Sequence, residues 1–133
     1  MTGVQTCALP ISLVAAHSLL VPVQCEFYAM EGLGRLMQTV EMVRRSLNKA
    51  LLIEGILLTL FDGRNNLHWQ VADEIRKHFS DSMFKTVIPR NIRLAESPSH
   101  GAPVLMYDVA SSGAQAYLSL AKEVLTHAKK GAR

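Results

Sequence analysis

TVIPRNIRLAESPSHGAPVLMYDVASSGAQAYLSLAKEV, residues 86–124, is the stretch whose reading decides the fold. It begins inside an apolar, strand-forming run, MFKTVIP (83–89), which stops at Pro89 because a proline has no N–H to extend a ladder. A polar loop with proline and glycine follows, RNIRLAESPSHGAP (90–103), with room for one helical turn from Ile92 to Glu96. The spacing then predicts a helix over Ser112–Ala128, capped by Ser111 or Ser112 and burying Ala114, Tyr117, Leu118, Ala121, Val124 and Leu125. Strand, long polar loop and helix make one unit of a helix-covered sheet, and such a loop is where binding residues concentrate.

Two similar units precede it. SLLVPV (18–23) is a short apolar run, expected to be a strand buried on both faces of a parallel sheet. After QCEFY (24–28), apolar residues at Met30, Leu33, Leu36, Met37, Val40, Val43 and Leu47 keep the three-and-four spacing of a helix, with Arg35, Gln38, Glu41 and Arg45 opposite. LLIEGILLTLF (51–61) predicts a second strand, DGRNN (62–66) a turn, and Asn66–Phe79 a helix burying Leu67, Val71, Ile75 and Phe79. The alternation predicts an α/β fold, a parallel sheet with flanking helices. Ligands of such sheets sit at the carboxyl ends of the strands, here the loops QCEFYAMEG (24–32), DGRNN and IPRNIRLAESPSHG (88–101).

Composition narrows the class. The 133 residues are 49% hydrophobic and 19% charged, enough apolar material for one core. No run of about 18 apolar residues is present, which argues against a membrane-spanning helix. The net charge of +3 is mild basicity, compatible with nucleic acid, and Lys129, Lys130 and Arg133 cluster at the end. Two cysteines, Cys7 and Cys25, form neither a disulfide framework nor a zinc pattern, which points to a reducing compartment. MTGVQTCALPIS (1–12) lacks the basic and apolar regions of a secretory signal, fits no later pattern, and resembles translated adapter sequence. The expected division is therefore a non-native leader at 1–12, a domain at 13–128 and a basic tail at 129–133.

VPVQCEFYAMEGL (21–33), GILLTLFDGRNNL (55–67) and residues 86–124, in this order and spacing, resemble the C-terminal half of the ParA/Soj family of deviant-Walker partition ATPases. The resemblance runs from Leu13 to about Val124. It implies the C-terminal half of a P-loop NTPase domain of the SIMIBI/ParA-like kind, in a bacterial, cytoplasmic, nucleoid-associated protein of chromosome or plasmid partitioning. It also implies ATP and Mg2+ as cofactors, an ATP-dependent homodimer, nonspecific DNA binding, a ParB-type centromere-binding partner that triggers hydrolysis, and no membrane. The phosphate chemistry of this family needs a glycine-rich lysine loop, whose backbone N–H groups cradle the phosphates. No G-x-x-x-x-G-K-[ST] occurs in the sequence, and the Asp-Pro-Pro stretch of the second Walker motif is missing before Leu13. The chain by itself is thus expected not to hydrolyse ATP.

The same resemblance brings Thr59 and the Pro89-Arg90-Asn91 loop to the adenine, read by backbone polar groups with Pro89 on the ring face, and gives Arg64 and Arg93 to DNA. The residues alone leave other readings open. Arg64 and Arg93 also read as solvated arginines or partners of Asp62 or Glu96, and Arg90 as a partner of Glu96. His100 lies in a turn between Pro98 and Gly101 and has no nucleophile at a recognisable spacing. Cys25 reads as a small buried residue, Trp69 as partly core, and Glu31 as support for its helix N-terminus. A noncatalytic binding module, docking on a full-length partition ATPase or on DNA, is the alternative function. A membrane-positioning relative is disfavoured, because the last helix ends in only a short basic tail and its apolar face is better explained by packing on a sheet. A half-domain with open strand edges is also expected to be poorly soluble alone.

Overall fold

A computed structural model describes the backbone of residues 3–131 and the side chains of residues 8–130; the leader's first residues, the Cys7 side chain and Arg133 of the tail lie outside them. The elements run α1 (Gly3–Ala15), β1 (Ser18–Gln24), α2 (Ala29–Ser46), β2 (Leu52–Phe61), α3 (Asn66–Phe79), a 3₁₀ turn (Ser80–Ser82), β3 (Met83–Pro89), α4 (Ile92–Glu96), a second 3₁₀ turn (Ser97–His100), α5 (Val104–Tyr107) and α6 (Ser112–Gly131). The three strands form one parallel sheet in the order β1-β2-β3.

The central strand sets the layers. Ile56 and Leu58 of β2 point to one face, where with Val21 of β1 they meet Leu33 of α2 and Val71, Ala72 and Ile75 of α3. Leu57 points to the other face and joins Phe84 and Ile88 of β3 under Ala116, Leu120 and Val124 of α6. A continuous apolar run is what a strand covered on both sides requires. At the far end, Leu13 of α1 packs with Val40 and Val43 of α2. The side-chain amide of Asn48 donates to the carbonyls of Leu13, Val14 and Ala16 at 3.0, 3.1 and 2.8 Å, serving the α1 carboxyl end, whose carbonyls have no partner within the helix. Helix α1 has no counterpart among the sequence patterns; it contains Pro10 and runs through Ser12 and Leu13 without a break.

The three strands, α2, α3, α4 and α6 and their order agree with the sequence reading, α1 and α5 were not expected, and three burial expectations are corrected. Strand β1 is not buried on both faces: Val21 is buried, but Leu20 is 37% exposed, because β1 is an edge strand with α2 and α3 on one side only. Helix α6 turns Tyr117, Ala121 and Leu125 outward, the last 62% exposed, and lays Ala116, Leu120 and Val124 on the sheet instead. Its apolar residues fill two adjacent faces, so spacing alone does not choose between them. Leu47 and Leu67, expected inside, sit at or beside helix ends and are exposed.

Two contacts fix α6 and β3. The ring of Phe84 lies over Gly55, where an added Cβ would stand 2.6 Å from Cε2 and 2.8 Å from Cδ2. Glu123 of α6 reaches the outer edge of β3, where its carboxylate accepts from the Lys85 and Thr86 N–H groups (2.6 and 3.0 Å) and the Thr86 hydroxyl (2.7 Å). An edge strand otherwise offers those N–H groups to another chain. Burial pushes the Glu123 carboxyl up, but these three hydrogen bonds outweigh it and hold it below its ordinary value of 4.5.

Gly55→Ala, with Phe84 buried and unable to swing clear, should lower unfolding stability by about 1–3 kcal/mol, measured by urea denaturation. A folded-state carboxyl held low contributes stability above its unfolded value and loses it as pH falls through the folded value. Glu123→Gln should therefore melt several degrees below the parent at neutral pH, and the gap should close as the pH is taken well under 4.5.

Candidate functional site

The carboxyl ends of β2 and β3 are irregular. Leu58 pairs with Val87 and Phe61 with Pro89, so three steps along β2 oppose two along β3, which is a β-bulge. Within it Leu60 has φ +50°, a left-handed conformation that a leucine adopts only under constraint. The bulge opens a cavity of about 500 Å³, with Thr59, Leu60 and Ile88 as its floor, Arg90 and Asn91 on its rim, and Ile92, Leu94, Ala95 and Tyr117 closing it from α4 and α6. Apolar walls with a few polar groups are the usual make-up of a small-ligand site.

Three of the four residues given to the adenine meet in this cavity. Thr59 donates its hydroxyl to the Val23 carbonyl at 3.4 Å. Arg90 donates its backbone N–H to the Phe61 carbonyl at 2.9 Å, and its side chain is exposed. Both ends of the Asn91 amide are already engaged: Oδ1 accepts from the Arg93 N–H at 2.9 Å, capping α4, and Nδ2 donates to Ser112 Oγ at 2.7 Å. These two bonds fix the orientation of the asparagine head at the cavity rim. Pro89 closes β3 beside the cavity, whose wall there is made by Ile88 and Arg90. Leu60, Leu94 and Tyr117 were absent from the sequence reading of this site, since a bulge and the outward face of α6 leave no local signal.

The two arginines given to DNA are each held by carboxylates. Arg64 makes a two-bond fork on Asp62, Nε to Oδ1 and Nη2 to Oδ2 both at 3.1 Å, and its backbone N–H donates to Oδ1 at 3.0 Å. Hydrogen bonds from the Arg64 side chain and backbone hold the Asp62 carboxyl at about 2. Around them Asn65 caps α3, Trp69 Nε1 donates to the Gly63 carbonyl at 2.8 Å, and the indole stands edge-on to Phe61 at 4.9 Å. Arg93 spans Glu96 (3.1 Å) and Asp108 (3.3 Å), and the Tyr107 hydroxyl donates to the same Glu96 oxygen at 3.0 Å. Glu96 is thus taken by Arg93 and Tyr107 and not by Arg90. His100 stacks on Tyr107 at 4.8 Å, a structural role within the loop. In the first loop Phe27 and Tyr28 meet edge to face at 5.1 Å, both largely exposed. Glu31 pairs with Arg35 at 2.6 Å, and burial pushes the Cys25 thiol up, away from a nucleophilic thiolate. Among the described residues no three His, Cys, Asp or Glu side chains group as metal ligands, and no helix is long and apolar enough to cross a membrane.

A family model of an AAA domain matches residues 6–53. The sporulation initiation inhibitor protein Soj of Bacillus subtilis (strain 168) is 56% identical over 113 residues, 85% of this chain and 45% of the relative. The chain belongs to the ParA/Soj family. The chromosome partitioning protein ParA of Caulobacter vibrioides (strain NA1000 / CB15N) is 53% identical over 115 residues, 86% of this chain and 43% of its own. This ParA/Soj chain thus spans less than half the length of the curated relatives it matches. Cobyrinic acid a,c-diamide synthase from Mycobacterium smegmatis, solved also with bound ADP and magnesium, is 30% identical with a TM-score of 0.68 over 90% of this chain and 42% of the other. The parallel sheet with its flanking helices is the α/β fold of P-loop NTPases.

In this ParA/Soj chain the cavity depends on the approach of α4 to α6. A Cβ at Gly113 would stand 2.5 Å from Leu94 Cγ. Gly113→Ala should therefore lower the melting temperature, although alanine is the better helix former by about 1 kcal/mol. A thermal melt that rises would show that Leu94 can leave the cavity wall freely.

Proposed function

We propose that this chain is the C-terminal half of a ParA-type ATPase of bacterial chromosome or plasmid partitioning, carrying the base side of the ATP site and part of a nonspecific DNA face. One observation carries the first part of the reading: Thr59, Arg90 and Asn91, chosen by family resemblance, wall a single apolar cavity at the carboxyl ends of β2 and β3. A purine ring fits such walls, with loop N–H and carbonyl groups reading its edge and Pro89 beside it. Bound ATP supplies the phosphoryl group for transfer; the residues present here orient the base. Among the described residues neither a glycine-rich lysine loop nor a carboxylate cluster for Mg2+ borders the cavity, and this reading assigns the cavity to the base alone.

In this reading the domain is residues 13–128, with 1–12 as an added leader and 129–133 as a basic tail, and the whole protein works in the cytoplasm on the nucleoid. It forms an ATP-dependent homodimer, Arg64 and Arg93 contact DNA phosphates, and a ParB-type protein stimulates it. Doubling of a weak two-arginine contact by the dimer raises its avidity. The missing lysine loop favours one second reading, a noncatalytic module that docks on a full-length partition ATPase or on DNA.

Purified 133-residue chain, titrated with fluorescent ATP and assayed for phosphate release with Mg2+, should show weak nucleotide binding without turnover. In a DNA gel-shift the Arg64→Ala, Arg93→Ala double variant should lose most of the binding. Robust Mg2+-dependent hydrolysis would overturn the inference that catalysis needs more than this chain.

A further inference from the structure

Each candidate DNA-contact arginine is already engaged by carboxylates of its own loop, and the two cases differ. Arg93 has two carboxylate partners, Glu96 and Asp108, and Tyr107 shares its Glu96 oxygen. Arg64 has a single partner, Asp62, which takes its Nε and Nη2 together. The Arg64 side chain is 91% exposed while that of Asp62 is 23% exposed, so it is the guanidinium side of the pair that lies open to a competing anion. The Nε/Nη2 edge is also the edge with which a guanidinium grips two phosphate oxygens, because carboxylate and phosphate present the same bidentate geometry.

We propose that Asp62 is an intramolecular competitor for phosphate, occupying the gripping edge of Arg64 in the free chain and setting how tightly this loop holds DNA. The proposal rests on the reading of Arg64 as a DNA contact. Binding then exchanges carboxylate for phosphate at Arg64, and the aspartate weakens the contact twice, by occupying the donors and by cancelling the charge. A guanidinium already neutralised in cis also displaces fewer counterions from the duplex, so the salt dependence is shallower than the arginine count implies. The turn itself needs only the Oδ1 acceptor for the Arg64 N–H, which asparagine retains.

The test is fluorescence anisotropy of a short labelled duplex of arbitrary sequence, over a range of salt, with the full chain as parent, Asp62→Asn, Arg64→Ala and the double variant. Asp62→Asn should tighten binding roughly two- to fivefold and steepen the log–log salt slope by up to roughly 0.9; the double variant should bind no better than Arg64→Ala. Asp62→Ser, which also offers an oxygen to the turn, should behave like Asp62→Asn, and circular dichroism checks that each variant is folded. Weaker or unchanged binding by Asp62→Asn, where Arg64→Ala weakens it, would overturn the competition and make Asp62 a positioning or inert residue. An equal gain from Asp62→Asn in the Arg64→Ala background would overturn it in favour of a diffuse charge effect. No loss on Arg64→Ala in any background would remove the DNA reading of Arg64, and the competition with it.

Discussion

Ile56, Leu57 and Leu58 of β2 are buried on alternating faces of the sheet, and the other elements are arranged to cover one or another of them. Because side chains alternate along a strand, one apolar tripeptide specifies two layers. Helices α2 and α3 answer the first face, α6 the second. A register slip of one residue would exchange the faces and bring Gly55 under α3, away from the Phe84 ring that its missing Cβ admits. The parallel run of all three strands then brings the loops that follow them to one end of the sheet.

Much of this was legible in sequence for particular reasons. Pro89 marks the end of β3 at the residue where the structure ends it, and Asn65 with its neighbours announces the start of α3. The single turn of α4 was legible because Asn91 is a good cap and Pro98 forbids a long continuation. What stayed hidden depends on contacts distant in sequence. Which face of α6 meets the sheet is decided by Gly113 against Leu94 and Glu123 against β3, not by helical spacing. The exposure of Leu20 follows from β1 lying at the sheet edge, which no strand announces about itself.

The candidate site divides in the same way. Thr59, Arg90 and Asn91 came from the family resemblance, and the structure sets them in or just after the carboxyl ends of β2 and β3, where α/β sheets place ligands. The cavity that unites them depends on a β-bulge and on Leu60 at φ +50°, which a leucine does not advertise. Arg64 and Arg93 were visible as charges on loops, but their geometry was not. The fork on Asp62 and the bridge from Glu96 to Asp108 make two arginines of similar appearance unequal in freedom.

The amide of Asn48 gathers three carbonyls that lie 32 to 35 residues earlier in the chain. Strand β1 and helix α2 lie inside the loop that these bonds close, so the helical end of α1 docks only once that β–α unit has formed. The sheet and its two covering layers do not need this clasp. Opening it would release α1 as a unit while leaving the remainder folded, and amide hydrogens in the last turn of α1 would then exchange at a lower free energy than those of β2.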